Sequence, residues 1–141
     1  MMIYTIGYKN LSVEELVEIV DSLDAVLIDV RSNPNFRVKR GFSKVELVSS
    51  LGSAYRWMGD TLGGRTPIHN SGLDYIEQFD GSEDLHCVLM CAEHEPIECH
   101  RHHAICMPYF PQALHIYEGY LYTAHDVHWS DVPESSGSLY D

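Results

Sequence analysis

The stretch Leu-His-Cys-Val-Leu-Met-Cys-Ala-Glu-His-Glu-Pro-Ile-Glu-Cys-His-Arg, residues 85–101, decides how the fold of this chain is interpreted. Residues 85–90 form a short, mostly apolar run, which is typical of a central strand covered on both faces. From Cys99 onward, apolar positions predict a helix that ends by Pro108, because the residue before a proline disfavours helical geometry. The stretch therefore predicts a buried strand ending near Cys91, a loop, and the start of a helix.

The polar residues of this loop and helix start have chemical uses. In open α/β sheets, ligands bind outside the carboxyl ends of the strands, and a helix amino terminus favours anions and lowers the pKa of a thiol. The predicted catalytic set consists of the polar residues of this region: Cys91, Glu93, Cys99, His100 and Arg101. Cys87 and Cys106 are predicted to be core residues only, and the same packing role remains the alternative for Cys91 and Cys99.

Strand and helix patterns alternate along the rest of the chain. Predicted strands cover residues 3–7, 25–30, 54–58, 85–90 and 114–117, and predicted helices cover 13–23, 44–51 and 73–79. Ser12 with Glu15, and Ser43 with Glu46, have the spacing of a capping box at a helix start. Such alternation predicts a single α/β domain over residues 1–119. Its sheet is open and mainly parallel, with helices on both faces, in a Rossmann-like or flavodoxin-like three-layer arrangement.

Two segments carry weaker structural signals. Residues 59–67 are predicted to be a long glycine-rich loop. Residues 120–141 are predicted to be an acidic tail whose end is loosely held or disordered, because it is rich in acidic and small polar residues.

Polar and glycine residues follow several predicted strands, and the carboxyl ends of parallel strands meet at one edge of a sheet. Asp29 in an otherwise apolar strand needs hydrogen-bond donors, since burying an unpaired carboxylate is costly, and Arg31 or a backbone turn could supply them. The alternative is that Asp29 only pins neighbouring loops. The predicted substrate-binding set consists of the residues that follow these strands: Gly7, Tyr8, Asp29, Arg31, Ser32, Gly63, Gly64 and Arg65.

Composition limits the classes of protein to which this chain can belong. Its four cysteines lack the paired spacing of a secreted framework, and no targeting pattern opens the chain, so we expect a reduced, cytoplasmic protein. No apolar run approaches the roughly 20 residues that cross a bilayer, so we expect no membrane insertion. The net charge of −12 argues against a broad nucleic-acid surface.

Four of the nine basic side chains nevertheless cluster in one short segment, here called the basic arm: Arg37, Lys39, Arg40 and Lys44. The arm is either an exposed loop before a helix or a surface that contacts an anionic partner such as a nucleic acid.

Four separated motifs resemble those of the domain-of-unknown-function family 488. They are a Thr-Ile-Gly start, an Asp-Val-Arg-Ser segment with a nearby proline, a Leu-Gly-Gly loop, and Cys-Ala-Glu followed by Cys-His-Arg, at residues 5–7, 29–34, 62–64 and 91–101. The resemblance spans roughly residues 3–119, and the chain has Tyr8 where family members usually have histidine. The resemblance implies a fold and a site but no particular reaction.

The favoured hypothesis is an enzyme that acts on a nucleotide, a nucleic-acid base or another phosphate-bearing substrate. A thiol, Cys91 or Cys99, would react while Arg31 and Arg101 hold an anion. The Cys-x5-Arg loop of thiol phosphatases is absent, because Ile97 stands where its arginine would be. One alternative is a non-enzymatic nucleotide-binding or nucleic-acid-binding module.

The other alternative is a zinc site built from the available thiols and imidazoles: Cys91, Cys99, His100, His102 and His103. The spacing of these residues lacks the paired ligands typical of zinc motifs. The sequence indicates no particular cofactor, substrate or oligomeric state.

Overall fold

The computed structural model describes residues 3–35, 38–64, 67–92, 105–117 and 119–123. The strands are β1 (Ile3–Gly7), β2 (Val26–Asp29), β3 (Tyr55–Trp57), β4 (Cys87–Cys91), β5 (Leu114–Tyr117) and β6 (Tyr120–Thr123). They form one six-stranded sheet in the order β3-β2-β4-β1-β5-β6. All neighbouring pairs are parallel except β5 with β6. The predicted mainly parallel α/β fold is confirmed.

The helices are α1 (Val13–Ser22), α2 (Lys44–Leu51), α3 (Gly59–Leu62), α4 (Asn70–Glu77) and α5 (Met107–Tyr109). Both predicted capping boxes are present. At α1, the Ser12 backbone N–H donates to Glu15 Oε1 at 3.0 Å, and the Glu15 N–H donates to Ser12 Oγ at 3.1 Å. The hydrogen bond from the Ser12 backbone, followed by that from its side chain, lowers the pKa of Glu15. Local sequence signals therefore set where these two helices begin.

Two elements differ from the sequence prediction because tertiary packing decides them. The predicted loop over 59–67 contains α3, and α4 begins at Asn70 rather than at residue 73. Gly72 in the first turn of α4 explains part of this: a Cβ there would lie 2.6 Å from Thr61 Oγ1 and 2.8 Å from the Leu62 side chain. Glycine lowers helix propensity, but here it allows α3 and α4 to pack closely.

The first residues of the predicted tail also take a different form. Tyr120–Thr123 is β6, which pairs antiparallel with β5 after a turn in which Gly119 has a φ of 83°. A positive φ suits glycine, and the alternating Tyr-Leu-Tyr-Thr residues suit a strand. The predicted helix start at Cys99 and the rest of the tail lie outside the described residues.

The two faces of the sheet are covered by different helices. One core cluster joins α1 and α2 to the sheet through Leu16 and Leu47. The other joins α3 and α4 to the opposite face through Leu62 and Ile76, and includes Ile105, which follows β4. The helices that follow β1 and β2 therefore cover one face, whereas Ile105, the first described residue after Ala92, packs on the other. In open α/β sheets, ligands bind outside the carboxyl ends of adjacent strands that are covered by helices on opposite faces.

No helix in the described part of the chain is long and apolar enough to span a bilayer.

Candidate functional site

The carboxyl ends of four neighbouring strands lie at one edge of the sheet. Gly7 at the end of β1 is the register partner of Cys91 at the end of β4. Asp29 at the end of β2 is paired with Met90 on one side and with Trp57 on the other. The space outside the ends of β1, β2 and β4 is here called the strand-end crevice. The structure thus brings together predicted site residues that are far apart in sequence.

Asp29 is fully buried at this edge and its carboxylate accepts four hydrogen bonds. Oδ1 accepts from the Arg31 backbone N–H at 3.0 Å and from Arg31 Nε at 2.8 Å. Oδ2 accepts from Arg31 Nη2 at 2.7 Å and from the Tyr55 hydroxyl at 2.6 Å. These donors satisfy the expectation that a buried carboxylate needs partners. The carboxylate has little capacity left for a ligand.

Arg31 is 7% exposed, and one edge of its guanidinium is held by Asp29. Nε and Nη2 form the side edge that faces Asp29. Nη1 is buried and has no hydrogen-bond partner among the described residues. Because a guanidinium has five N–H donors, the Nη1–Nη2 end edge remains able to bind two oxygens of an anion.

Burial acts to lower the pKa of Arg31, but the hydrogen bonds and charge of Asp29 outweigh it, and the Tyr8 hydroxyl adds to their effect. The net pKa of Arg31 is therefore raised, and the guanidinium stays charged.

Tyr8 forms one wall of this cluster. Its ring stacks on Phe42 with centroids 4.6 Å apart and an angle of 14° between planes. The Arg31 guanidinium carbon lies 5.1 Å from the centre of the Tyr8 ring. Tyr8 is 6% exposed, so it acts as part of the packed structure around Arg31.

Two aromatic residues of β3 belong to the site although sequence reasoning did not assign them to it. Tyr55 donates to Asp29, and Trp57 Nε1 donates to the Arg31 carbonyl at 2.8 Å. Burial, followed by the hydrogen bond to Asp29, raises the pKa of Tyr55. The sequence predicts that Tyr55 and Trp57 lie in a strand, but it does not predict that this strand pairs with β2.

Glycines bring the start of α3 against the loop after β2. A Cβ on Gly59 would lie 1.8 Å from the Arg31 carbonyl oxygen. A Cβ on Gly63 would lie 2.3 Å from Ser32 Oγ. Any larger side chain would push these segments apart, so both glycines fix the position of residues 31–32. Gly64 is exposed and Arg65 lies outside the described residues.

The cysteines divide into two groups. Cys91 is buried at the end of β4 and is disulfide-bonded, so the expected reduced state does not hold at this residue in the structure. The spacing of the cysteines gave no sign of this bond, because pairing depends on tertiary proximity. Cys87 and Cys106 are buried and not disulfide-bonded, and burial, followed by the nearby Cys106, raises the pKa of Cys87. Their predicted core role is consistent with these positions.

The remaining members of the predicted catalytic and zinc sets lie outside the described residues: Glu93, Cys99, His100, Arg101, His102 and His103. Within the part of the chain that the structure describes, no group of His, Cys, Asp and Glu residues could hold a metal ion.

A second buried polar pair lies deeper in the sheet and gave no signal in the sequence. Thr5 in β1 and His115 in β5 are register partners with no exposed surface. Thr5 Oγ1 is hydrogen-bonded to His115 Nδ1. Only the pairing of β1 with β5 brings these two residues together.

Part of the basic arm is already used in contacts within the chain. Lys39 Nζ donates to the Leu11 carbonyl and lies 5.6 Å from the centre of the Phe42 ring. Lys44 Nζ lies 4.7 Å from the centre of the Trp57 ring. Arg40 is exposed, and Arg37 lies outside the described residues.

The family model described as "Domain of unknown function DUF488" matches residues 12–72. This match supports the resemblance drawn from the motifs, and it includes two of the four, at residues 29–34 and 62–64. No curated protein and no solved structure matches the chain. The family description specifies no activity, so function has to be argued from the strand-end crevice itself.

Proposed function

We propose that this protein, a relative of the DUF488 family, binds a small ligand bearing an oxyanion in the strand-end crevice. The ligand class we propose is a nucleotide or another phosphate-bearing molecule. The observation that supports it is the buried Arg31 Nη1, which has no partner among the described residues. A buried N–H donor without a partner costs free energy, and a bound oxygen would remove that cost.

The geometry of the guanidinium favours an oxyanion over a neutral acceptor. Asp29 holds the side edge of Arg31, which leaves the end edge for a second bidentate contact. A planar fork of N–H groups matches two oxygens of a phosphate or carboxylate, and charge-assisted hydrogen bonds are the strongest of their kind. The location agrees, because crevices at this position in open α/β sheets hold nucleotides in other proteins.

Calorimetric titration with inorganic phosphate and with a nucleoside monophosphate tests the proposal. Arg31→Lys keeps the positive charge and one contact to Asp29 but removes the end edge. We expect its affinity to fall by about tenfold or more, since a hydrogen bond to a charged group contributes about 1.5–3 kcal/mol.

Arg56→Lys is the matched control, because Arg56 is exposed in β3 and contacts the Tyr75 ring. This variant should bind as the wild type does. Wild-type affinity in Arg31→Lys, or no binding of either anion to the wild type, contradicts the proposal.

Catalysis on the bound ligand is a second proposal, favoured by the position of Cys91. Its carbonyl accepts from the Tyr8 N–H at 3.0 Å, so Cys91 lies at the carboxyl end of β4, beside the end of β1. Thiol chemistry there requires reduction of its disulfide, since the thiolate is the nucleophile. Turnover of a bound nucleotide under reducing conditions distinguishes an enzyme from a non-enzymatic binding module.

A further inference from the structure

Tyr8 contacts the Arg31 guanidinium with its ring, whereas Asp29 contacts it through hydrogen bonds to the side edge. The carboxylate of Asp29 fixes the guanidinium within its plane by two hydrogen bonds to the side edge. The guanidinium carbon of Arg31 lies over the ring of Tyr8, 5.1 Å from the ring centre. In-plane bonds alone leave the guanidinium able to tilt about the axis through them. A ring against its face opposes that tilt.

Phe42 holds the Tyr8 ring in turn. The two rings are nearly parallel, at 14°, and Phe42 has no exposed surface. The backbone N–H of Tyr8 is also tied to Cys91 at the end of β4. Phe42, Tyr8 and Arg31 thus form a continuous stack from the core to the strand-end crevice.

We infer that Tyr8 is a positioning residue for the oxyanion site: its ring sets the tilt of Arg31 so that the end edge is preorganised for the ligand. This inference rests on the proposed function, and it changes the role predicted for Tyr8 from sequence, which was direct contact with the substrate. Preorganisation raises affinity because the side chain loses less freedom when the ligand binds.

The test separates the ring of Tyr8 from its hydroxyl. Phosphate affinity is measured by calorimetry in the wild type, in Tyr8→Phe and in Tyr8→Met, with the folded state verified by urea unfolding. Tyr8→Phe keeps the ring and should bind within about threefold of the wild type. Tyr8→Met keeps apolar bulk without a ring face and should bind about tenfold more weakly, within the range of a desolvated cation–π contact.

A measurement on Arg31 without ligand separates loss of positioning from a general loss of stability. Exchange of the Arg31 Nε–H with solvent, followed by NMR, should be slow in the wild type and in Tyr8→Phe but faster in Tyr8→Met. Leu16→Ala is the control, because Leu16 belongs to the same core cluster as Tyr8. It should lower stability yet leave both phosphate affinity and exchange unchanged.

The outcomes distinguish the two proposals. If the wild type binds phosphate and Tyr8→Met binds equally well, the positioning role is wrong and the oxyanion site stands. If Tyr8→Phe is weakened as much as Tyr8→Met, the hydroxyl acts on Arg31 or on the ligand, and the positioning role of the ring is again wrong. If Tyr8→Met does not fold, Phe42→Leu replaces it, and unchanged affinity and exchange there contradict the inference. If the wild type binds no anion, both proposals fail.

Discussion

Arg31 and Lys39 both lie against an aromatic ring and both donate hydrogen bonds, yet they differ in what surrounds them. Arg31 is buried, and its charge is matched by Asp29 at 2.7 Å. Lys39 is exposed, and its ammonium reaches the Leu11 carbonyl at the surface. The buried cation is paired with Asp29 and keeps a donor that has no partner among the described residues, whereas the surface cation is open to solvent. A count of basic residues in the sequence therefore says little about which cation can bind a ligand.

The largest effect should follow removal of the partner of the buried cation. Asp29→Ala leaves Arg31 charged and unpaired in the protein interior, which should lower the free energy of unfolding by about 3–5 kcal/mol. Urea unfolding at neutral pH measures it. The double variant Asp29→Ala/Arg31→Met should recover part of the loss, because no uncompensated charge remains. A loss below about 1 kcal/mol would show that Arg31 reaches water in a way that its burial does not indicate.

An intermediate effect is expected at Tyr55, which donates to the same carboxylate. Tyr55→Phe removes the hydroxyl and should lower the free energy of unfolding by about 1–3 kcal/mol, since a buried acceptor loses one of its donors.

The Tyr55 hydroxyl should also affect the pH dependence of stability. Because its pKa is raised on folding, its contribution is present below the unfolded value of about 10 and is lost as pH rises toward the folded pKa. Above pH 10 the wild type should lose stability faster with pH than Tyr55→Phe. Equal slopes for the two proteins would assign the alkaline loss to other groups.

The smallest effect on stability is expected in the basic arm, although its effect on binding can be large. Replacing Arg37, Lys39 and Arg40 by alanine should change the free energy of unfolding by less than about 1 kcal/mol, because Lys39 and Arg40 are exposed and surface substitutions usually have small effects. We propose that this arm contacts nucleic acid. The wild type should then bind oligonucleotides with an affinity that falls as the salt concentration rises, and the variant should lose this binding. Fluorescence anisotropy at low and moderate salt measures this binding. If the wild type does not bind oligonucleotides even at low salt, the arm is an exposed loop with no role in binding nucleic acid.

Local patterns in the sequence predicted the elements well, because capping and periodicity depend on neighbouring residues. Ser12 and Ser43 mark two helix starts, and the apolar run before Cys91 is a central strand. The need of Asp29 for hydrogen-bond donors was also predictable, because a carboxylate in an otherwise apolar strand is expected to be buried. Arg31 supplies such donors.

The rest of the site depends on strand order, which no local pattern contains. Tyr55 reaches Asp29 because β3 lies beside β2, with Leu27 opposite Tyr55. Thr5 meets His115 across 110 positions of sequence for the same kind of reason. The glycine at residue 59 was visible as a loop signal, but its close approach to the Arg31 carbonyl appears only once α3 is in place.

The position of β4 between β1 and β2 has a consequence for how the chain folds as it is synthesised. β1 and β2 make no ladder with each other, and β4 is hydrogen-bonded to both. The sheet therefore cannot close around its centre until residues 87–91 have left the ribosome. Pairing between distant segments slows folding, because loop-closure entropy is lost before the contacts form. The segment 12–72 that matches the family model contains neither β1 nor β4, so by itself it lacks the two strands at the centre of the sheet.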